Sequence, residues 1–123
     1  MDCPFCKILP DAVIAENELA FAVRDGFPVT DLHSLVIPKR HTRNYFSLTK
    51  DELLACHELI HELSREITNL DPSVTGFNIG SNSGKDAGQT IFHCHLHLIP
   101  RRKSDVANPR GGVRHLIPGK GDY

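Results

Sequence analysis

A chain of 123 residues is long enough to bury one core and too short for two domains of ordinary size, so a single domain over 1–123 with one principal site is expected. Its 14 Lys and Arg against 15 Asp and Glu leave a net charge of -1, which argues against a nucleic-acid or anionic-membrane partner. No apolar run approaches the roughly 20 residues that span a bilayer, and Met1-Asp2-Cys3-Pro4 lacks a basic and apolar leader; a cytoplasmic protein is expected.

In chain order, Cys3-Pro4-Phe5-Cys6 places two thiols at the spacing used for zinc, a site that needs two further ligands. A thioredoxin-like redox motif is not expected, because that motif follows a strand and only two residues precede Cys3. Val13-Ile14-Ala15-Glu16 and Leu19-Ala20-Phe21-Ala22-Val23 are short apolar runs separated by Asn17-Glu18, the pattern of two strands joined by a tight turn. Ser34-Leu35-Val36-Ile37 is a third strand, stopped by Pro38. From Thr49 the period changes: Leu53, Cys56, Ile60, Leu63, Ile67 and Leu70 step by three and four, one face of an amphipathic helix. Thr49 is its N-cap, with Glu52 at the capping-box position. Asp71-Pro72 ends the helix, and Gly76-Phe77-Asn78-Ile79 starts a strand that runs into a loop rich in Gly, Ser and Asn. Ile91 to Ile99 reads as the last long strand, and 100–123 as a C-terminal arm without a further helix. Strands grouped around one long helix predict an α+β domain with a mainly antiparallel sheet. Cys56 and Cys94 fall in apolar patterns and are expected in the core.

Successive strand side chains point to opposite faces, so His93, His95 and His97 share one face and Cys94, Leu96 and Leu98 the other. At about 3.3 Å rise per residue, the Cα atoms of His93 and His97 lie about 13 Å apart, a long span for ligating one tetrahedral ion from a straight strand. The three must divide their roles. Phosphoryl or nucleotidyl transfer suits such a row, because imidazole is nucleophilic near neutral pH and neighbouring donors stabilise phosphate oxygens. A partial metal site is the alternative these residues leave open.

The run His93-Cys94-His95-Leu96-His97-Leu98-Ile99 resembles the signature of the histidine triad (HIT) family, three alternating histidines followed by two apolar residues. His33-Ser34-Leu35-Val36-Ile37-Pro38-Lys39-Arg40-His41 resembles the family's His-x-Leu-Val-Ile-Pro-Lys-x-His stretch, and Asn82 through Gly88-Gln89-Thr90 the loop before the triad. The resemblance covers nearly the whole chain. It implies a five-stranded, mainly antiparallel half-barrel sheet with one long helix and short helical segments, and a homodimer whose sheets join. It also implies that His95 is the nucleophile, forming a transient nucleotidyl-histidine from which water releases a nucleoside monophosphate. On the same resemblance His97 and His33 contact phosphate or hold the imidazoles in register, Gln89 and Thr90 lie near the leaving-group oxygen, and Asn82 shapes the phosphate pocket. Asp25 falls where the family places a ribose-binding Asp or Asn, and Phe5, Ile8 and Val23 where it lines a base pocket for a purine nucleotide or dinucleotide. Zinc-bearing members pair the two cysteines with the histidines that match His41 and His93. The resemblance thus implies a structural zinc on Cys3, Cys6, His41 and His93, with no open position for catalysis.

Within that family, nucleotidyltransferases carry Gln at the third triad position, so His97 favours hydrolysis. The phosphoramidase branch usually has a Trp in its tail, whereas this chain has none and continues Pro100-Arg101-Arg102-Lys103-Ser104-Asp105, closer to dinucleoside polyphosphate hydrolases. Members of the fragile-histidine-triad type lack the Cys3/Cys6 pair, so neither branch fits completely. A nucleoside phosphoramidase and a non-catalytic nucleotide-binding partner protein are the alternatives. His57-Glu58-Leu59-Ile60-His61 matches the H-E-x-x-H of zinc proteases, but no third ligand is evident and a polar helix flank is the favoured reading. Gly80-Ser81-Asn82-Ser83-Gly84-Lys85-Asp86 is one residue short of a phosphate loop, and Asp86 replaces the required Ser or Thr. Arg101, Arg102, Lys103, Arg110 and Arg114 read as solvated charges, some of which would flank a polyphosphate.

Overall fold

The computed structural model describes residues 2–123. Its strands are β1 (Val13–Glu16), β2 (Ala20–Arg24), β3 (Ser34–Pro38), β4 (Val74–Gly80) and β5 (Leu96–Arg102), and its one long helix is α1 (Lys50–Leu70). The sheet runs β1-β2-β3-β5-β4 with every neighbouring pair antiparallel. Alternation divides it into two faces. Ala20, Ala22, Val36, Leu96 and Leu98 pack against Ala55, Cys56, Leu59, Leu63 and Ile67 of α1, while Phe21, Val23, Leu35 and Ile37 face Cys3 and Phe5. This is the α+β, open antiparallel sheet expected, completed by short 3-10 turns at Pro4–Lys7, Pro10–Ala12, Tyr45–Ser47, Lys85–Ala87 and Gly112–Leu116.

Local chemistry sets the helix start. The Thr49 hydroxyl accepts from Glu52 N–H, and the Glu52 carboxylate accepts from Thr49 N–H at 2.8 Å. Glu52 also takes two 2.8 Å bonds from Arg40 although it is only 4% exposed, and these donors pull its carboxyl down to about 2. Turning Glu52 inward rotates the apolar stripe from the one expected. Leu59 is buried, whereas Leu53 and Leu70 are 39% and 62% exposed. Burial pushes the core thiols of Cys56 and Cys94 up to about 12 and about 11.

Several strand boundaries differ from the sequence reading. β2 starts at Ala20 because the Asn17 side-chain Oδ1 accepts from the N–H groups of both Leu19 and Ala20, holding Leu19 in the turn. β4 begins at Val74 rather than Gly76. β5 starts at Leu96 rather than Ile91, since the preceding backbone bonds elsewhere: Cys94 N–H donates to the Thr42 carbonyl at 2.7 Å, and the His93 ring occupies the Pro38 carbonyl. At its other end β5 extends through Pro100, Arg101 and Arg102, so the irregular arm begins later than position 100.

Candidate active site and metal centre

The chain segment that follows β3 is tied down at both sides, by Arg40 on Glu52 and by Thr42 Oγ1 on Ser47 Oγ at 2.7 Å. That anchoring sets His41 beside the Cys3-to-Cys6 turn. Cys3, Cys6, His41 and His93 each bring one ligand atom to within 4.8 Å of the others. Cys3 Sγ lies 3.3 Å from His93 Nδ1, Cys6 Sγ 3.3 Å from His41 Nδ1 and 3.5 Å from His93 Nδ1. Zinc bonds of about 2.3 Å to sulfur and 2.0–2.1 Å to nitrogen at a tetrahedral angle put S and N about 3.5 Å apart, so the donor set fits that ion. The fit extends outward. The Pro38 carbonyl can only accept, so His93 carries its proton on Nε2, 2.8 Å away, and turns the Nδ1 lone pair to the sulfurs.

The same reasoning fixes the remaining rings. His95 Nδ1 is 2.8 Å from the His93 carbonyl and must donate to it, which leaves Nε2 as a free lone pair. Val29 N–H donates to His33 Nδ1 at 3.1 Å, so His33 holds its proton on Nε2 and gives it to His97 Nδ1 at 2.9 Å. His97 therefore presents Nε2–H. Burial lowers the pKa of both His33 and His97, in keeping with neutral rings; for His97, His95 and His33 act in the same direction. Asp25 Oδ2 stands 3.4 Å from His33 Nε2 and 3.9 Å from His97 Nδ1, while its Oδ1 accepts from Phe27 N–H. Because the two histidines direct their facing nitrogens at each other, Val29 N–H, His33 and His97 form a hydrogen-bonded relay with the Asp25 carboxylate beside it. His33 is presented by a tight turn in which Leu32 adopts a left-handed backbone (φ 71).

These rings open onto a cavity of about 590 Å³ on the sheet face opposite α1. His95, His97, His33, Gln89, Asp25, Asn82, Thr90, Phe5, Ile8 and Val23 all line it, so the sequence-derived residues converge on one space. Gly88, at φ 90, shapes the adjoining loop in a conformation L side chains rarely adopt. Gln89 is 3% exposed and its amide is fully engaged: Oε1 accepts from Gly84 N–H, and Nε2 donates to the carbonyls of Arg43 and Ile91. Ser81 escaped the sequence reading. Its hydroxyl donates to the His95 carbonyl at 2.7 Å, a contact that no local pattern announces. Leu35 also lines the cavity and pairs with His97 across β3 and β5; alternation from Val23 would have found it.

Other motifs lie elsewhere. His57 and His61 are exposed on α1 with ring centroids 4.4 Å apart, line no part of this cavity and belong to no group of three possible metal ligands among the described residues, so nothing in the structure supports the protease reading. Arg101 is engaged by Asp105 and Asn78, and Arg102 by Asp71; none of the six Lys and Arg of the arm lines the cavity. No helix among the described residues is long and apolar enough to cross a membrane.

The chain is similar to proteins already known. The crystal structure of a Zn-bound histidine triad family protein from Mycobacterium smegmatis has a TM-score of 0.79 at 35% identity, covering 88% of this chain and 81% of that one. The adenylylsulfatase HINT3 of Arabidopsis thaliana is 34% identical over 108 residues, 85% of this chain and 54% of that protein. The adenosine 5'-monophosphoramidase HNT1 of Candida albicans is 30% identical over 107 residues, 81% of this chain and 70% of that protein. The family model described as HIT domain matches residues 7–104, a span that contains the His33–His97 pair, His95 and most of the cavity wall. On that match the chain belongs to the HIT domain family.

Proposed function

We propose that the protein hydrolyses nucleotide conjugates at the phosphate attached to the nucleoside, through a covalent intermediate on His95. One observation carries this reading: the His93 carbonyl holds the Nδ1 proton of His95, leaving an unprotonated Nε2 at a cavity that His97 also lines. In the first step His95 Nε2 forms a bond to the α-phosphorus, and the bond from phosphorus to the leaving group breaks. The His97 Nε2–H donates to a phosphoryl oxygen as its charge builds. Water then attacks the phosphorus, the P–N bond breaks, and nucleoside monophosphate leaves with the His95 lone pair restored. Asp25 receives the ribose hydroxyls. Phe5, Ile8 and Val23 take the purine, Asn82 and Thr90 flank the phosphate, and Gln89 braces the loop that carries Thr90.

The names of the two catalytic relatives, an adenylylsulfatase and an adenosine 5'-monophosphoramidase, support an adenylyl unit with a small leaving group. The ion pairs of Arg101 and Arg102 favour the same reading, since they leave no arm cation on the cavity for a polyphosphate. Dinucleoside polyphosphates are the second reading, favoured by the Trp-free arm. Zinc on Cys3, Cys6, His41 and His93 would supply structural cross-linking when bound, and a cytoplasmic homodimer is part of the proposal.

The test is a hydrolysis panel of adenosine phosphoramidates, adenylyl sulfate and diadenosine polyphosphates, with mass spectrometry of the quenched reaction. A nucleotidyl adduct on His95 is expected. An active His95→Ala protein overturns the mechanism, and binding of adenosine monophosphate without turnover of any substrate overturns the enzyme in favour of a nucleotide-binding protein.

A further inference from the structure

The proposed zinc ligands surround the nucleophile more closely than a remote structural knot requires. His93 is fully buried and held through its ring by the Pro38 carbonyl and the two thiols, and its own carbonyl is the group that takes the His95 Nδ1 proton. Phe5 sits between the two cysteines and sets its ring against His95, centroids 4.9 Å apart at 64°. Thr42, next to ligand His41, receives the N–H of Cys94 between the other two histidines. Three ligands or their neighbours thus reach the 93–95 segment by separate routes.

We propose that the metal centre is a positioning device for His95, setting both the place of its ring and the nitrogen that carries the proton. A free neutral imidazole in water exchanges between two tautomers, and the one retained in a protein is decided by the partner of the other nitrogen. For His95 that partner is a carbonyl whose place is set by the His93 ring. With Cys3, Cys6 and His41 no longer drawn to a common ion, the His93 carbonyl and the Phe5 ring lose their shared anchor. His95 then samples the form protonated on Nε2, which has no lone pair to offer phosphorus. Metal loss at a site without an open coordination position would therefore lower turnover with little effect on nucleotide affinity. That consequence rests on His95 as nucleophile; the ring state does not.

The experiment uses the full chain labelled with 15N at histidine, loaded with zinc by elemental analysis, then stripped by chelator, with ring nitrogen spectra recorded above neutral pH. The loaded protein is expected to show His95 protonated on Nδ1 alone. In the stripped protein His95 exchanges with the Nε2–H form, while His33 and His97 keep their resonances. An unchanged His95 in folded, stripped protein overturns the proposal, as does a chain that takes up no zinc. Should stripping unfold the chain, cadmium replaces zinc: its longer bonds are expected to shift His95 more than His33 or His97, and an unshifted His95 overturns the proposal equally. No substrate enters these spectra, so a metal-dependent His95 in a protein without hydrolytic activity refutes the functional reading alone.

Discussion

His33 Nε2 lies 2.9 Å from His97 Nδ1, and this contact decides which nitrogen of His97 faces the cavity with a proton. His33 has no freedom in the matter, because the Val29 N–H occupies its other nitrogen. Removing the ring leaves His97 free to place its proton on Nδ1, facing Asp25 Oδ2 at 3.9 Å, and to turn an acceptor toward the phosphate. His33→Ala is expected to lower kcat about tenfold to hundredfold, the usual scale for a group that orients another, with KM little changed. Because Gln retains a side-chain N–H donor, His33→Gln should recover part of the loss. Steady-state kinetics on the best substrate checks both; an equal loss in both variants would remove the relay.

The same two rings predict how stability responds to acid. Burial lowers the pKa of His33 against the pull of Asp25, and lowers that of His97 with help from its histidine neighbours. Between these lowered values and the ordinary value of about 6.5, the unfolded chain binds more protons than the folded one. Their stabilising contribution is therefore complete above about 6.5 and is lost as pH falls through the folded-state values. Thermal melts should show Tm falling as pH drops from about 7.5 to about 5.5, and His33→Gln with His97→Gln should flatten that slope. An equal slope in the double variant would assign the acid response to other groups.

The succession of strands and helix along the chain was legible because it rests on local pattern: a period of two in Ala20–Val23 and a capping box at Thr49 and Glu52. The failures share one physical origin in contacts distant along the chain. Residues 91–95 look like strand, yet Pro38 and Thr42 receive the hydrogen bonds that a strand would need. Leu53 fits the apolar period, but the inward turn of Glu52 toward Arg40 carries it to the surface. Spacing predicted that the three triad rings would not share one site, and the structure sets His93 among the cysteines while His95 and His97 line the cavity. Which nitrogen each ring exposes was not legible, because that depends on a carbonyl of His93, a carbonyl of Pro38 and an amide of Val29.

Glu52 is a buried acid that joins the helix to the segment carrying His41, and removing it should be costly. Its carboxylate accepts from Thr49 N–H and from two guanidinium N–H groups of Arg40, whose neighbour is His41. Glu52→Gln keeps the shape but loses the charge-assisted bonds, with an expected cost of about 1.5–3 kcal/mol. Its pKa of about 2 lies below the ordinary 4.5, so the contribution is complete above 4.5 and lost as pH falls through about 2. Urea unfolding at neutral pH measures the cost. Zinc affinity should fall with it, since Arg40 no longer holds His41 in place.

Gln89 separates a structural role from a chemical one. A side chain reaching for the leaving group would keep a free donor, but here both Nε2 protons go to the carbonyls of Arg43 and Ile91 while Oε1 accepts from Gly84 N–H. Only this orientation of the amide satisfies all three partners, since neither carbonyl can donate and the Gly84 amide cannot accept. Gln89→Glu is nearly identical in shape and replaces the two donors with an oxygen directed at two carbonyl oxygens in a buried site. The expected cost is about 2–4 kcal/mol, as unsatisfied buried carbonyls and a desolvated charge add. Gln89→Met removes the polar atoms without adding charge and should cost less, about 1–3 kcal/mol. If Gln89 braces the loop, the stability loss in Glu and Met variants will track the loss of kcat, because Thr90 and Asn82 move with that loop. Full stability with a large fall in kcat would instead return Gln89 to direct contact with the leaving group.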